Sequence, residues 1–114
     1  LLVRNQIRGT SDVRKLMEIV EVCVGLLGYN EPTKGATLKC LLALLSHRYP
    51  KVRQLAAEQF FVGMVTYENS FSDISSESRD SVIHILSTTT WEMEETANVV
   101  VLAKKISSLL FNQQ

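Results

Sequence analysis

His47-Arg48-Tyr49-Pro50-Lys51-Val52-Arg53-Gln54-Leu55-Ala56-Ala57 places a proline at the head of an apolar-periodic run and follows it with a Val-Arg-x-Leu core. The same core stands 39 residues upstream as Val13-Arg14-Lys15-Leu16. Proline at the first position of a helix forfeits no hydrogen bond and already has a helical φ, so Pro50 marks a helix start and Arg48-Tyr49 a corner. Periods of about 40 residues belong to two-helix repeats, in which one pair cannot bury its own apolar face and must stack on the next. The spacing therefore predicts stacked helix pairs, an architecture that binds partners far more often than it catalyses.

Upstream of the corner, Thr10-Ser11-Asp12 offers N-cap oxygens, and Val13, Leu16, Met17, Val20, Val24 and Leu27 then recur at steps of three and four as far as Gly28. This predicts a helix over about 12–28, with Ile19, Val22, Cys23 and Leu26 forming a second stripe, so that it is covered on two sides. Tyr29-Asn30-Glu31-Pro32-Thr33 connects it to a helix over about 34–48. There Leu38, Leu41, Leu42 and Leu45 share one face, and Cys40, Ala43 and Leu44 the other. From Pro50 a third helix runs over about 50–67, with Val52, Leu55, Ala56, Gln59, Val62 and Gly63 on one face and Ala57, Phe60, Phe61 and Met64 on another. Two doubly apolar helices joined by so tight a corner form a helical hairpin.

Downstream, Glu68 to Ser76 is a serine-rich loop that Phe71 and Ile74 are expected to pin to the core. Ser75 and Ser76 can cap a helix over about 77–87 carrying Val82, Ile83, Ile85 and Leu86. Thr88-Thr89-Thr90 interrupts it, and Thr89 with Glu92 has the spacing of a capping box opening a last helix over about 90–111. Val99, Leu102, Ala103, Ile106, Leu109 and Leu110 stripe that helix, with Glu92, Glu94 and Glu95 at its positive end and Lys104 and Lys105 toward the other. Asn112-Gln113-Gln114 reads as a frayed end. A further 39 residues beyond Val52 lies Trp91, so the helix-opening corner recurs a third time in position.

The 114 residues suit one domain with a core of its own. Leu1 stands where an initiator Met is usual, which suggests a segment of a longer protein. No apolar run approaches a membrane span, and Arg4 and Arg8 follow the opening apolar residues instead of preceding them as in a signal peptide, so a soluble intracellular protein is expected. Cys23 and Cys40 lie 17 apart inside apolar patterns with no CxxC and no His at ligand spacing; buried free thiols are expected, with no metal and no cofactor. The formal net charge is zero, yet residues 1–53 hold nine Lys or Arg against four acids and residues 54–114 hold three against eight. That polarity could orient a charged partner. Nucleic acid is disfavoured, because Arg4, Arg8, Arg14, Lys15, Arg48, Lys51 and Arg53 are dispersed with only Tyr29 and Tyr49 near them for stacking.

The Pro50, Val52 and Arg53 pattern is similar to HEAT repeats, with Lys51 in place of their usual Asp. The longer strings Leu44-Leu45-Ser46-His47-Arg48-Tyr49-Pro50-Lys51-Val52-Arg53, Thr66-Tyr67, and Ile85-Leu86-Ser87-Thr88-Thr89-Thr90-Trp91-Glu92 resemble the C-terminal end of the tubulin-folding cofactor D family, tubulin-specific chaperones. The resemblance covers about residues 35–111. The resemblance, together with the 3.6-residue period of every long apolar pattern, predicts an all-α fold, a HEAT/armadillo-like α-solenoid fragment of about five antiparallel helices forming one domain over 1–114. It also implies a cytoplasmic, microtubule-associated protein that binds β-tubulin and works with other tubulin-folding cofactors and an Arf-like small GTPase to assemble and disassemble the αβ-tubulin dimer, the GTP being hydrolysed by tubulin. A generic HEAT adaptor in trafficking or transport is the alternative.

The chain carries no catalytic signature: no GxSxG elbow, no glycine-rich phosphate loop, and no second His or Cys at helix spacing from His47 or His84, so the reading is not an enzyme. Arg53 is expected to brace neighbouring corners, as its equivalent does in HEAT units, and Trp91 to plug a helix junction. In a solenoid the inner helices are consumed by stacking and a partner meets corners and ridges. The candidate partner-binding residues are therefore Arg48, Tyr49 and Lys51 at the corner, with Lys39 one ridge below.

Overall fold

The structure is a computed structural model that describes residues 13–29 and 32–111. These residues form five α-helices and one 3₁₀ turn, with no strand among them: α1 (Val13–Leu26), α2 (Thr33–Leu45), α3 (Pro50–Thr66), a 3₁₀ turn (Glu68–Phe71), α4 (Ser76–Thr88) and α5 (Thr96–Phe111). Local signals set most boundaries. Pro50 is the first helical residue of α3, and the extended Tyr49 before it receives Val52 N–H at 3.1 Å and Arg53 N–H at 3.2 Å on its carbonyl. Ser75 caps α4, its Oγ accepting Ser78 N–H at 3.2 Å. The expected cap Thr10-Ser11-Asp12 and the end Asn112-Gln113-Gln114 lie outside the described residues.

The apolar stripes become the core. Leu16, Val20 and Leu27 from the first unit, Leu41, Leu44 and Leu45 from α2, and Val52, Ala56, Phe60 and Met64 from α3 are fully enclosed. Burying each large aliphatic side chain is worth about 1.5–3 kcal/mol. Phe71 and Ile74 pin the serine-rich loop as expected, and Lys34 of α2 secures it with Nζ donating to the Ser70 carbonyl at 2.6 Å and lying 3.6 Å from the Asp73 carboxylate. Some stripe members face outward. Val22 on α1 and Val62 on α3, both assigned to apolar faces by their spacing, are 57% and 46% exposed. Val62 shares its side of α3 with Glu58 and Val65, and that side is left open because the neighbours of α3 take the others.

Helix α1 packs on α2 and α3, α2 on α3, α3 on α4, and α4 on α5. Short connections between packed neighbours, Ser46–Tyr49 between α2 and α3 above all, make those pairs antiparallel. Two differences from the expected register stand out. The last helix opens at Thr96, not near residue 90: Thr89 is the extended residue ending α4, and residues 91–94 form turns in which the Thr90 carbonyl accepts from Met93 and Glu94 N–H. The capping box expected from Thr89 and Glu92 is thus not what starts α5; the Glu95 carbonyl takes the first helical bonds, from Asn98 and Val99. Secondly, a third unit in register would lay α5 beside α3, whereas α5 packs against α2 and it is α4 that lies against α3. One layer therefore holds α1, α3 and α4, and the other holds α2 and α5.

Candidate protein-interaction corner

Ser46 to Lys51 turns the chain between α2 and α3, and Arg53, one turn into α3, fixes that corner from beneath. Its side chain is buried, 3% exposed, without a carboxylate among the described residues. Backbone carbonyls solvate the charge instead. Nη1 donates to the His47 and Arg48 carbonyls at 2.9 and 3.3 Å, Nε to the Trp91 carbonyl at 2.9 Å, and Nη2 to the Glu94 carbonyl at 3.0 Å. A planar fork of donors reaches both segments at once, which a lysine cannot do. Trp91 closes the other side: it is 1% exposed and its Nε1 donates to the Leu86 carbonyl at 3.1 Å. The bracing role expected for Arg53 and the plugging role expected for Trp91 are both what the structure shows.

Above this brace the corner presents its polar groups. Arg48 is exposed, its guanidinium 5.0 Å from the Tyr49 ring centre and its Nη2 donating to Tyr49 Oη at 3.2 Å. Tyr49, half-buried, also meets the His47 ring at 5.0 Å between centroids, and its own N–H donates to His47 Nδ1 at 3.2 Å. That bond requires a neutral imidazole, and the His47 pKa is accordingly lowered by burial and then by the charges of Arg48 and Arg53. Lys51 is exposed beside Pro50. Arg48, Tyr49 and Lys51 thus share one basic, aromatic corner.

Lys39 stands apart from it. It lies two turns before the end of α2, on a groove of about 320 Å³ between α2 and α5, across from Lys104. Nothing in the periodicity pairs Lys104 with Lys39, since periodicity names the faces of a helix and not the neighbour that meets them. A second groove of about 310 Å³ runs between α3 and α4, with Phe61, Val62 and Trp91 among its walls. Among the described residues no group of His, Cys, Asp and Glu is placed to hold a metal ion, and no helix is long and apolar enough to cross a membrane. No protein-family model matches the chain, and no solved structure matches it.

Proposed function

We propose that the chain is a protein-binding segment of a helical-repeat tubulin chaperone, which holds β-tubulin with other tubulin-folding cofactors and an Arf-like small GTPase while the αβ dimer is assembled or taken apart. One observation carries the reading. Two of the three strings on which the family resemblance rests, Leu44 to Arg53 and Ile85 to Glu92, meet in space at Arg53, whose guanidinium bonds to carbonyls of His47, Arg48 and Trp91. Strings far apart in sequence that share one buried brace are the parts of one device, a rigid corner, and not two local accidents. The antiparallel alternation of α1, α2 and α3 supports a HEAT-like stack. The last pair departs from that register, α5 packing against α2 and α4 against α3.

The test is capture of β-tubulin by a longer chain containing residues 1–114, against the same chain lacking them. Weakened capture is expected. Undiminished capture, with loss of some other partner, would favour an adaptor in trafficking or transport.

A further inference from the structure

The groove between α2 and α5 has an aliphatic floor of Leu42, Ala43, Val100 and Ala103, with Lys39 on one wall and Lys104 on the other. Its charge is one-sided. The chain has 12 acidic residues, yet α2 (TKGATLKCLLALL) and α5 (TANVVVLAKKISSLLF) contain none, while they carry four lysines between them. Lys34 is already tied to Ser70 and Asp73. Lys39 and Lys104 are exposed and have no hydrogen-bond or ion-pair partner among the described residues.

We propose that this groove docks an acidic amphipathic helix of a partner protein, its apolar side chains seated on Leu42, Ala43, Val100 and Ala103 and its flanking carboxylates on Lys39 and Lys104. An apolar floor between two cationic walls is the complement of such a helix, whose anchors recur at i, i+3 or i+4 and i+7. Other occupants fit less well. The groove is open and, at about 320 Å³, is at the lower end of the roughly 300–1,000 Å³ that encloses a small molecule. Its floor has no aromatic group on which a base would stack. The chain's own residues 1–12 carry two Arg against one Asp, the wrong sign for walls of lysine. The inference rests on the chain being a protein-binding scaffold and not on tubulin being the partner.

The probe is a synthetic helical peptide of about 14 residues with leucines at i, i+4 and i+7 flanked by glutamates. It is titrated into the ¹⁵N-labelled 114-residue chain, beside one control with lysine for each glutamate and another with alanine for each leucine. Backbone amide shifts at Lys39, Ala43, Val100 and Lys104 are expected with the acidic peptide. Both controls should bind about tenfold more weakly or worse, and added salt should weaken the acidic peptide as it screens exposed charge. The double substitution Lys39→Glu and Lys104→Glu should weaken binding about tenfold at unchanged helicity and thermal midpoint. Ser107→Trp, which fills the groove and leaves both lysines, should do the same.

Shifts mapping elsewhere, equal binding of the lysine peptide, or undiminished binding by both variants would overturn the proposal. So would self-association of the chain that Lys39→Glu with Lys104→Glu abolishes, because the groove would then be filled by a second copy. No tubulin enters this titration, so the groove can fail while β-tubulin capture stands, and the reverse.

Discussion

The Nε of Arg53 donates to the carbonyl of Trp91 at 2.9 Å across 38 residues of sequence, and the Trp91 indole in turn donates to Leu86. One buried cation thereby sets the distance between the α2–α3 corner and the α4–α5 link. Bonds to a charged donor each contribute about 1.5–3 kcal/mol net. Arg53→Met should therefore lower unfolding free energy by about 3 kcal/mol or more in urea, and Arg53→Lys by about 2 kcal/mol because an ammonium cannot fork to both segments. Trp91 is the only tryptophan, so a red shift of its emission in the Arg53 variants reports loosening of the link directly. An Arg53→Met protein of unchanged stability would contradict the bracing role.

Two glycines with opposite surroundings give a matched pair. A Cβ on Gly63 would stand 2.5 Å from Leu27 Cδ1 and 3.4 Å from Val24 Cγ1, so α1 and α3 approach each other at that glycine. A Cβ on Gly25 would meet nothing within 4 Å. Leu27 is fully enclosed and has little room to yield. Gly63→Ala should cost about 1–2 kcal/mol from overpacking, and Gly25→Ala should gain about 0.5–1 kcal/mol from helix propensity and reduced unfolded-chain entropy. Thermal midpoints moving in opposite directions are the expected result.

Those contrasts show what kind of information the chain displays openly. Pro50 and Ser75 act within one helical turn of themselves, and their roles were legible from neighbouring residues alone. The Thr89 and Glu92 spacing was equally local and misled, because the carbonyls of Trp91 and Glu94 accept from Arg53 and hold the segment in turns until Glu95. Tertiary bonds overrode a cap. For the same reason Arg48, Tyr49 and Lys51 could be gathered from sequence, lying within four residues of one another, whereas the facing of Lys39 and Lys104 across the groove depends on α5 packing against α2.

The thiols offer a test of burial. Cys23 is buried and its pKa is pushed up to about 12, first by loss of water and then by the neighbouring Cys40, itself buried. The thiolate is the reacting species, and at pH 8 only about one molecule in ten thousand would carry it at Cys23. Labelling by a disulfide-exchange reagent should therefore be slow in the native protein and fast in guanidinium chloride. Rapid native labelling of Cys23 would show that α1 and α2 part readily.

His47 makes stability depend on pH. Its folded pKa lies below the ordinary 6.5, lowered by burial and by Arg48 and Arg53, while its Nδ1 must stay unprotonated to accept from Tyr49 N–H. The unfolded chain then binds the proton first, so the stabilisation is present above about pH 6.5 and is lost as pH falls from there through the folded value. The thermal midpoint should drop on going from pH 7 toward pH 5. In His47→Gln, whose amide oxygen can still accept a bond and does not titrate, that drop should be shallower. Parallel profiles for the two proteins would remove His47 as the cause.

The exposed corner separates binding from stability. Arg48 rests on the Tyr49 ring at the surface and Lys51 is exposed, while Arg53 does the bracing below. Charge reversal at Arg48 and Lys51 should move stability by only about half a kcal/mol, since neither side chain fills the core or caps a helix by hydrogen bond. If an acidic surface of β-tubulin or another cofactor meets this corner, Arg48→Glu with Lys51→Glu should weaken capture by about 2 kcal/mol or more, the loss that marks an interface hot spot. Tyr49→Ala should act in the same direction, because the ring that orders the Arg48 guanidinium is gone. Normal capture of every partner by the double variant in low salt, where exposed charges act most strongly, would leave the corner a structural joint and nothing more.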